Sequence, residues 1–152
     1  MARIVLTDVQ VLFGTSPTPT DDFGDHVASV TLSSTYDVVE TTAFDGGSVP
    51  FAAKSRQAGL VDNSVTFEFH QDFAATEIES YLNDPTPASS KLGTELYVRL
   101  VPTSGAVSAT NPAYEFVCIV SEWTPLSGAV GELATASVTW PITGKVDKIV
   151  AP

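Results

Sequence analysis

Positive charge is what this chain has least of. Seven Lys and Arg stand against 18 Asp and Glu among 152 residues, giving a formal net charge of −11. Phosphate backbones are held by clustered Lys and Arg, and anionic lipid surfaces by the same groups. Neither is an expected ligand. Charged residues of both signs reach only 16%, below the ~25% of an average domain. The acidity therefore comes from missing bases rather than from an acidic tail. Long apolar runs are absent too. No stretch approaches the ~18 apolar residues of a membrane span. The opening Met1-Ala2-Arg3-Ile4-Val5-Leu6-Thr7-Asp8 is too short an apolar run for the ~7–15 residues of a signal-peptide core, so no leader is expected. The single cysteine, Cys118 in Phe116-Val117-Cys118-Ile119-Val120, excludes an internal disulfide and reads as a small buried hydrophobe.

Catalytic constellations are also missing. There are two histidines, His26 and His70. Glu68, His70 and Asp72 could share a strand face, but no further ligand is marked by spacing. Asp21-Asp22-Phe23-Gly24-Asp25 lacks the alternating ligand pattern of a calcium loop and reads as a solvated turn. No nucleophile elbow, phosphate loop or dinucleotide fingerprint occurs. Glu77 and Glu79 lie two apart on an expected helix and diverge. No enzyme, cofactor or metal is expected.

What the chain does have is alternation. Hydrophobic residues make up 43%, which rules out a disordered acidic segment and suffices for one domain's core. Strands are expected over 3–13, 26–36, 60–71, 94–102, 113–124 and 133–141, because apolar residues recur there with the period of two of a half-buried strand. The strand at 113–124 is apolar on both faces at its centre, which places it centrally or against another subunit. Residues 14–25 and 41–58 read as long loops, and 144–152 as an edge strand or C-terminal arm. Asp72–Leu82 reads as a helix with an acidic start, stopped by Asn83-Asp84-Pro85. Pro-x-Ser-Gly-Ala-Val occurs at 102–107 and at 125–130, and reads as two similar turns. The expected fold is mainly β: an antiparallel β-sandwich or small barrel in a single domain, with one short helix and a long extended loop.

Ser and Thr number 33, and many fall on the polar sides of strands. Ser29, Thr31, Ser33 and Thr35 form one such face. Ser64, Thr66 and Glu68 form a second, and Thr135, Ser137 and Thr139 a third. They read either as the wet outer face of a sandwich or as a smooth wall that something slides along. The loop at 41–58 carries Phe44 and Phe51, costly in free solvent, with Lys54 and Arg56, and so points to a partner.

Several segments in this order resemble the tail tube (major tail) proteins of long, non-contractile-tailed bacteriophages, especially those of actinobacterial hosts. Asp25-His26-Val27-Ala28-Ser29-Val30-Thr31-Leu32 leads to Val39-Glu40-Thr41-Thr42-Ala43-Phe44. The chain re-enters at Gly59-Leu60-Val61-Asp62 and continues with Phe67-Glu68-Phe69-His70-Gln71-Asp72. Pro102-Thr103-Ser104, Ser108–Tyr114 and Gly128–Thr135 follow. The resemblance covers roughly 25–145. It implies a β-sandwich-like subunit with a flanking helix, forming homo-hexameric rings that stack into a hollow tube for DNA ejection. It also implies a virion location in the tail after synthesis in the bacterial host cytoplasm, and no membrane. Partners would be further copies of the chain and tape-measure, terminator and distal tail proteins, with DNA passing through unbound. In position, Phe44, Asp45, Phe51, Lys54 and Arg56 match an inter-ring or inter-subunit loop, and the three Ser/Thr faces are candidates for lining the lumen. The loop departs from the family at Asp45-Gly46-Gly47 and a proline. Other classes compatible with the composition are a capsid decoration or minor virion protein, and a monomeric ligand-binding β-sandwich. The last would need Trp123 or Trp140 exposed, whereas their alternating surroundings predict burial.

Overall fold

A computed structural model of the chain describes residues 3–42 and 54–151. Among these, seven strands form one antiparallel system in the order β2-β1-β5-β6-β7-β4-β3. The strands are β1 (Gln10–Gly14), β2 (Asp21–Asp22), β3 (Val27–Glu40), β4 (Arg56–His70), β5 (Glu95–Val101), β6 (Ala113–Ile119) and β7 (Thr135–Ile149). Among the described residues, helix is confined to a 3-10 turn at Gly24–His26 and to α1 (Ile78–Leu82). The fold is mainly β, as the alternation predicts.

β7 is the hinge of the architecture. Its first half pairs with β4, from His70↔Thr135 to Ser64↔Pro141. Its second half pairs with β6, from Cys118↔Ile142 to Ala113↔Ile149. Pro141 sits where the pairing passes from one neighbour to the other, a position where a residue without an N–H is tolerated. Strands that change sheets in this way form the corners of sandwiches and barrels. The two parts therefore close on each other. Phe13 of β1 meets the Phe67 ring of β4 edge-on at 5.6 Å and 82°, an arrangement favoured by the ring quadrupoles. Phe67 stacks on Phe69 at 5.2 Å, and Trp140 lies 5.6 Å from Phe67. All four side chains are fully buried. Burial of each large apolar side chain contributes about 1.5–3 kcal/mol, so this aromatic group, with Val11, Leu96, Val98, Cys118 and Val138 around it, anchors the fold.

Several expectations are corrected. The helix does not span 72–82. Asp72–Glu77 is a series of turns, and only Ile78–Leu82 is helical. Thr76 adopts φ 71°, a left-handed conformation that interrupts a helix, and Phe73 is exposed rather than on a buried stripe. Ile78 and Leu82, four apart, are the residues that reach the core. Asp72 caps locally instead, its Oδ1 accepting the Ala74 N–H at 2.9 Å. The first strand is shorter than 3–13. Residues 3–9 lie outside the ladder apart from an Asp8↔Thr103 bridge, with Ile4, Val5 and Leu6 exposed. The loop at 14–25 contains β2, paired with β1. The strand expected over 113–124 stops at Ile119, but it is central, between β5 and β7. The segment at 144–149 is the continuation of β7 rather than an arm.

The loop at 41–58 is also narrower than expected. β3 and β4 run together beyond the core as a ladder through Tyr36↔Val61, Val38↔Ala58, Val39↔Gln57 and Glu40↔Arg56. Arg56 is thus a strand residue. Both Pro-x-Ser-Gly-Ala-Val copies lie in irregular segments between strands rather than in two matching turns, with Gly105 at φ 137° and Gly128 at φ 151°. The shared glycine meets the same conformational demand in both.

Candidate functional site: a hydroxyl-lined sheet face

Residues paired across antiparallel strands point to the same face of the sheet. The register therefore decides whether three separate polar faces become one. Thr31 pairs with Thr66, and Thr66 pairs with Thr139. Ser29 pairs with Glu68, and Glu68 with Ser137. Ser33 pairs with Ser64, Thr35 with Asp62, and Thr135 with His70. The three faces join into one continuous surface on β3, β4 and β7, which none of the strands could reveal alone. Ser29, Thr31, Ser33, Thr35, Glu68, Ser137 and Thr139 are exposed, and Ser64, Thr66 and Thr135 are partly so. The opposite face is formed by Val65, Phe67 and Phe69 with Ala136, Val138 and Trp140, all buried.

A β-bulge between Val27 and Ser29 shifts the phase at the start of β3. An extra residue reverses which side chains face inward, so Ala28, which strict alternation places on the side of Val30 and Leu32, is exposed.

The face is rich in hydroxyls, with Asp62, Glu68 and His70 as its ionisable members. No Lys or Arg occurs in 27–36, 61–70 or 135–141. Asp62 and Glu68 are the acids in these stretches. Thr66 and Thr139 share a hydroxyl–hydroxyl hydrogen bond at 3.0 Å. The β7 edge facing away from β4 is closed by Glu122. Its carboxylate Oε1 accepts the Thr139 N–H at 2.6 Å, and its carbonyl accepts the Trp140 Nε1–H at 2.9 Å. Such a surface stays hydrated yet offers phosphate no site for counterion release.

The β3–β4 arm carries apolar residues into solvent: Tyr36, Val38, Val39, Leu60 and Val61 are exposed. Lys54 lies 3.8 Å from Glu40, and Thr41 N–H donates to the Ser55 carbonyl at 2.8 Å. Phe44, Asp45 and Phe51 lie outside the described residues. β3 also ends the strand order, so its outer edge has no strand partner among the described residues.

Trp140 is fully buried. Trp123 is half-buried, its indole N–H on Glu79 at 2.5 Å and its ring 5.7 Å from Phe69. Neither forms an exposed platform. Glu68 and His70 join no ligand cluster among the described residues. The segment 21–25 is not the solvated turn expected: Asp21 and Asp22 form β2, Phe23 is buried, and Asp22 Oδ1 accepts the Gly24 N–H at 2.9 Å in an Asx turn. The structure does assemble one group unmarked by sequence spacing, His26 with Asp72 and Glu77.

No protein-family model matches this chain, and no curated protein matches it in sequence. Solved structures do share its fold. A chain of the virion of a native gene transfer agent particle aligns with a TM-score of 0.58 at 12% identity, over 92% of this chain and 95% of that one. A chain from the tail of the empty gene transfer agent particle, determined with C6 symmetry, gives 0.51 at 11% identity over 83% of each chain. A chain of the anti-feeding prophage baseplate, six-fold symmetrised, gives 0.55 at 11% identity over 99% of this chain and 98% of that one. What is shared at this identity is the fold.

Proposed function

We propose that this chain is a structural virion protein: the tail tube subunit of a phage-like particle, acting as a single domain. Its copies form six-fold rings, and the rings stack into a hollow tube through which DNA leaves. The fold shared with chains of a C6-symmetric tail and a six-fold symmetrised baseplate supports this. The observation that carries it is the continuous hydroxyl face of β3, β4 and β7, free of Lys and Arg.

In the ring this face lines the channel. Six copies bring six times the chain's −11, and like charge in a confined channel repels the phosphate backbone. The β3 edge, without a strand partner among the described residues, and the apolar arm meet neighbouring copies. An exposed strand edge and apolar patch invite association, and assembly covers both. Residues 41–58, including Phe44, Asp45, Phe51, Lys54 and Arg56, reach a neighbouring ring or subunit. Tape-measure, terminator and distal tail proteins complete the set of partners. The role needs no catalysis and no cofactor.

Negative-stain microscopy of the purified protein over a range of concentrations tests this reading. Rings or tubes with a central channel are expected. Small monodisperse particles at every concentration would overturn it, and decoration of capsid shells without tubes would select a shell protein instead.

A further inference from the structure

We propose that His26, Asp72 and Glu77 form a binding site for a divalent transition-metal cation, Zn²⁺ foremost. Three ligand atoms, one from each residue, lie within 4.8 Å of one another. They come from three places: the 3-10 turn that leads into β3, the residues just past β4, and the residue that precedes α1. The backbone turns that replace the expected helix at 72–77 bring the two carboxylates to the imidazole.

Charge favours a cation here. His26 Nε2 is 2.5 Å from Glu77 Oε2 and 3.7 Å from Asp25 Oδ1. No Lys or Arg pairs with Asp25, Asp72 or Glu77 among the described residues. With a neutral imidazole, Asp72 and Glu77 leave two negative charges, which a divalent ion neutralises. The His26 side chain is 12% exposed and that of Glu77 36%, so the group is partly withdrawn from water, where such charge is costly.

Donor type selects the metal. One imidazole with two carboxylates suits Zn²⁺ or Mn²⁺ better than the all-oxygen shells of Mg²⁺ and Ca²⁺, and Zn²⁺ outranks Mn²⁺ in intrinsic affinity. Metal–ligand bonds of ~2.0–2.2 Å place tetrahedral ligands about 3.4 Å apart. The His26–Glu77 contact therefore opens by roughly 1 Å to admit the ion. Asp25 or water completes the shell. A cleft that carries Asp21, Asp22, Asp25, Glu77 and Asp84 against the single base Lys91 opens on the Glu77 side of the site and gives the ion its entry path. The bound ion ties the start of β3 to the β4–α1 connection, and this does not depend on assembly.

Isothermal titration of ZnCl₂ into the chelator-treated full chain at pH 7.5 tests the site, alongside NMR of its ¹⁵N-labelled histidines. Saturable one-to-one binding is expected, with the His26 ring signals shifting and those of His70 unmoved. His26→Gln and Asp72→Asn should each weaken binding at least tenfold, while His70→Gln leaves it unchanged. Circular dichroism checks that each variant folds. If His26→Gln does not fold, Asp72→Asn and the wild-type His26 signals decide. Absence of saturable binding, a shift at His70 instead of His26, or undiminished binding by folded Asp72→Asn would overturn the site.

Discussion

Thr66 and Thr139 face each other across β4 and β7 with their hydroxyl oxygens 3.0 Å apart. Thr31 extends the row onto β3. Cross-strand Thr–Thr pairs contribute about 0.2–1 kcal/mol, so the pair adds little to stability. Its larger consequence is the surface it makes. The row is polar, uncharged and flanked by Ser29–Glu68–Ser137 on one side and Ser33–Ser64 on the other.

Basic residues on that row should spare the fold and damage the function. Thr31→Lys changes an exposed position and should move stability by no more than about 0.5 kcal/mol. Particles built from it should eject DNA more slowly, and the defect should shrink as salt screens the added charge. Thermal denaturation and a DNA-release assay at two salt concentrations check both parts.

The fold itself depends on the aromatic contacts between its two halves. Trp140→Ala should cost about 3–5 kcal/mol, because the ring is fully buried between Phe13, Phe67 and Phe69. Urea denaturation measures the loss. A cost below 1 kcal/mol would mean that these rings do not close the core.

Replacing 43–53 by a two-residue Asn-Gly turn should leave the subunit folded and stop assembly. The Glu40↔Arg56 pair and the Thr41–Ser55 hydrogen bond already close the arm, and Asn-Gly is the favoured short hairpin connection. Circular dichroism and sedimentation velocity separate the two effects. A variant that assembles normally would remove the loop from the interface.

Cys118 should be silent to thiol reagents until the chain unfolds. It is fully buried, and burial pushes its thiol up to about 12 from an ordinary 9.0. The folded chain then holds this proton while the unfolded chain has lost it. This contribution is intact below pH 9.0 and is lost as pH rises towards about 12, by about 1.4 kcal/mol per pH unit. Tyr81 acts in the same direction. Its burial, then the Asp21 carboxylate beside it, pushes it up to about 12 from 10.0. Cys118→Ala should flatten the alkaline limb of the stability curve.

The parts of the molecule legible in its sequence are those set by local period. Alternation at 27–36, 61–70 and 135–140 separates the Ser/Thr side from the Val/Phe/Trp side, and both sides are where the period puts them apart from the bulge at Ala28. The turns at 72–77 are not legible, because apolar spacing there mimics a helical stripe that Thr76 interrupts. The sequence shortens β7, since Pro141 looks like a strand end when it is a change of neighbour. His26, Asp72 and Glu77 are separated by up to 51 residues and meet through tertiary packing alone. The merging of three polar faces into one likewise needed the register, which no single strand carries.

On the proposed function, the β3–β4–β7 hydroxyl face lines a channel. The most direct test is a cryo-electron microscopy map of the assembled protein at side-chain resolution. Six copies per ring are expected, with Thr31, Thr66 and Thr139 facing the lumen and the aromatic core behind them. Rings that turn these threonines outward, or a channel walled by Lys145 and Lys148 of the far end of β7, would contradict it.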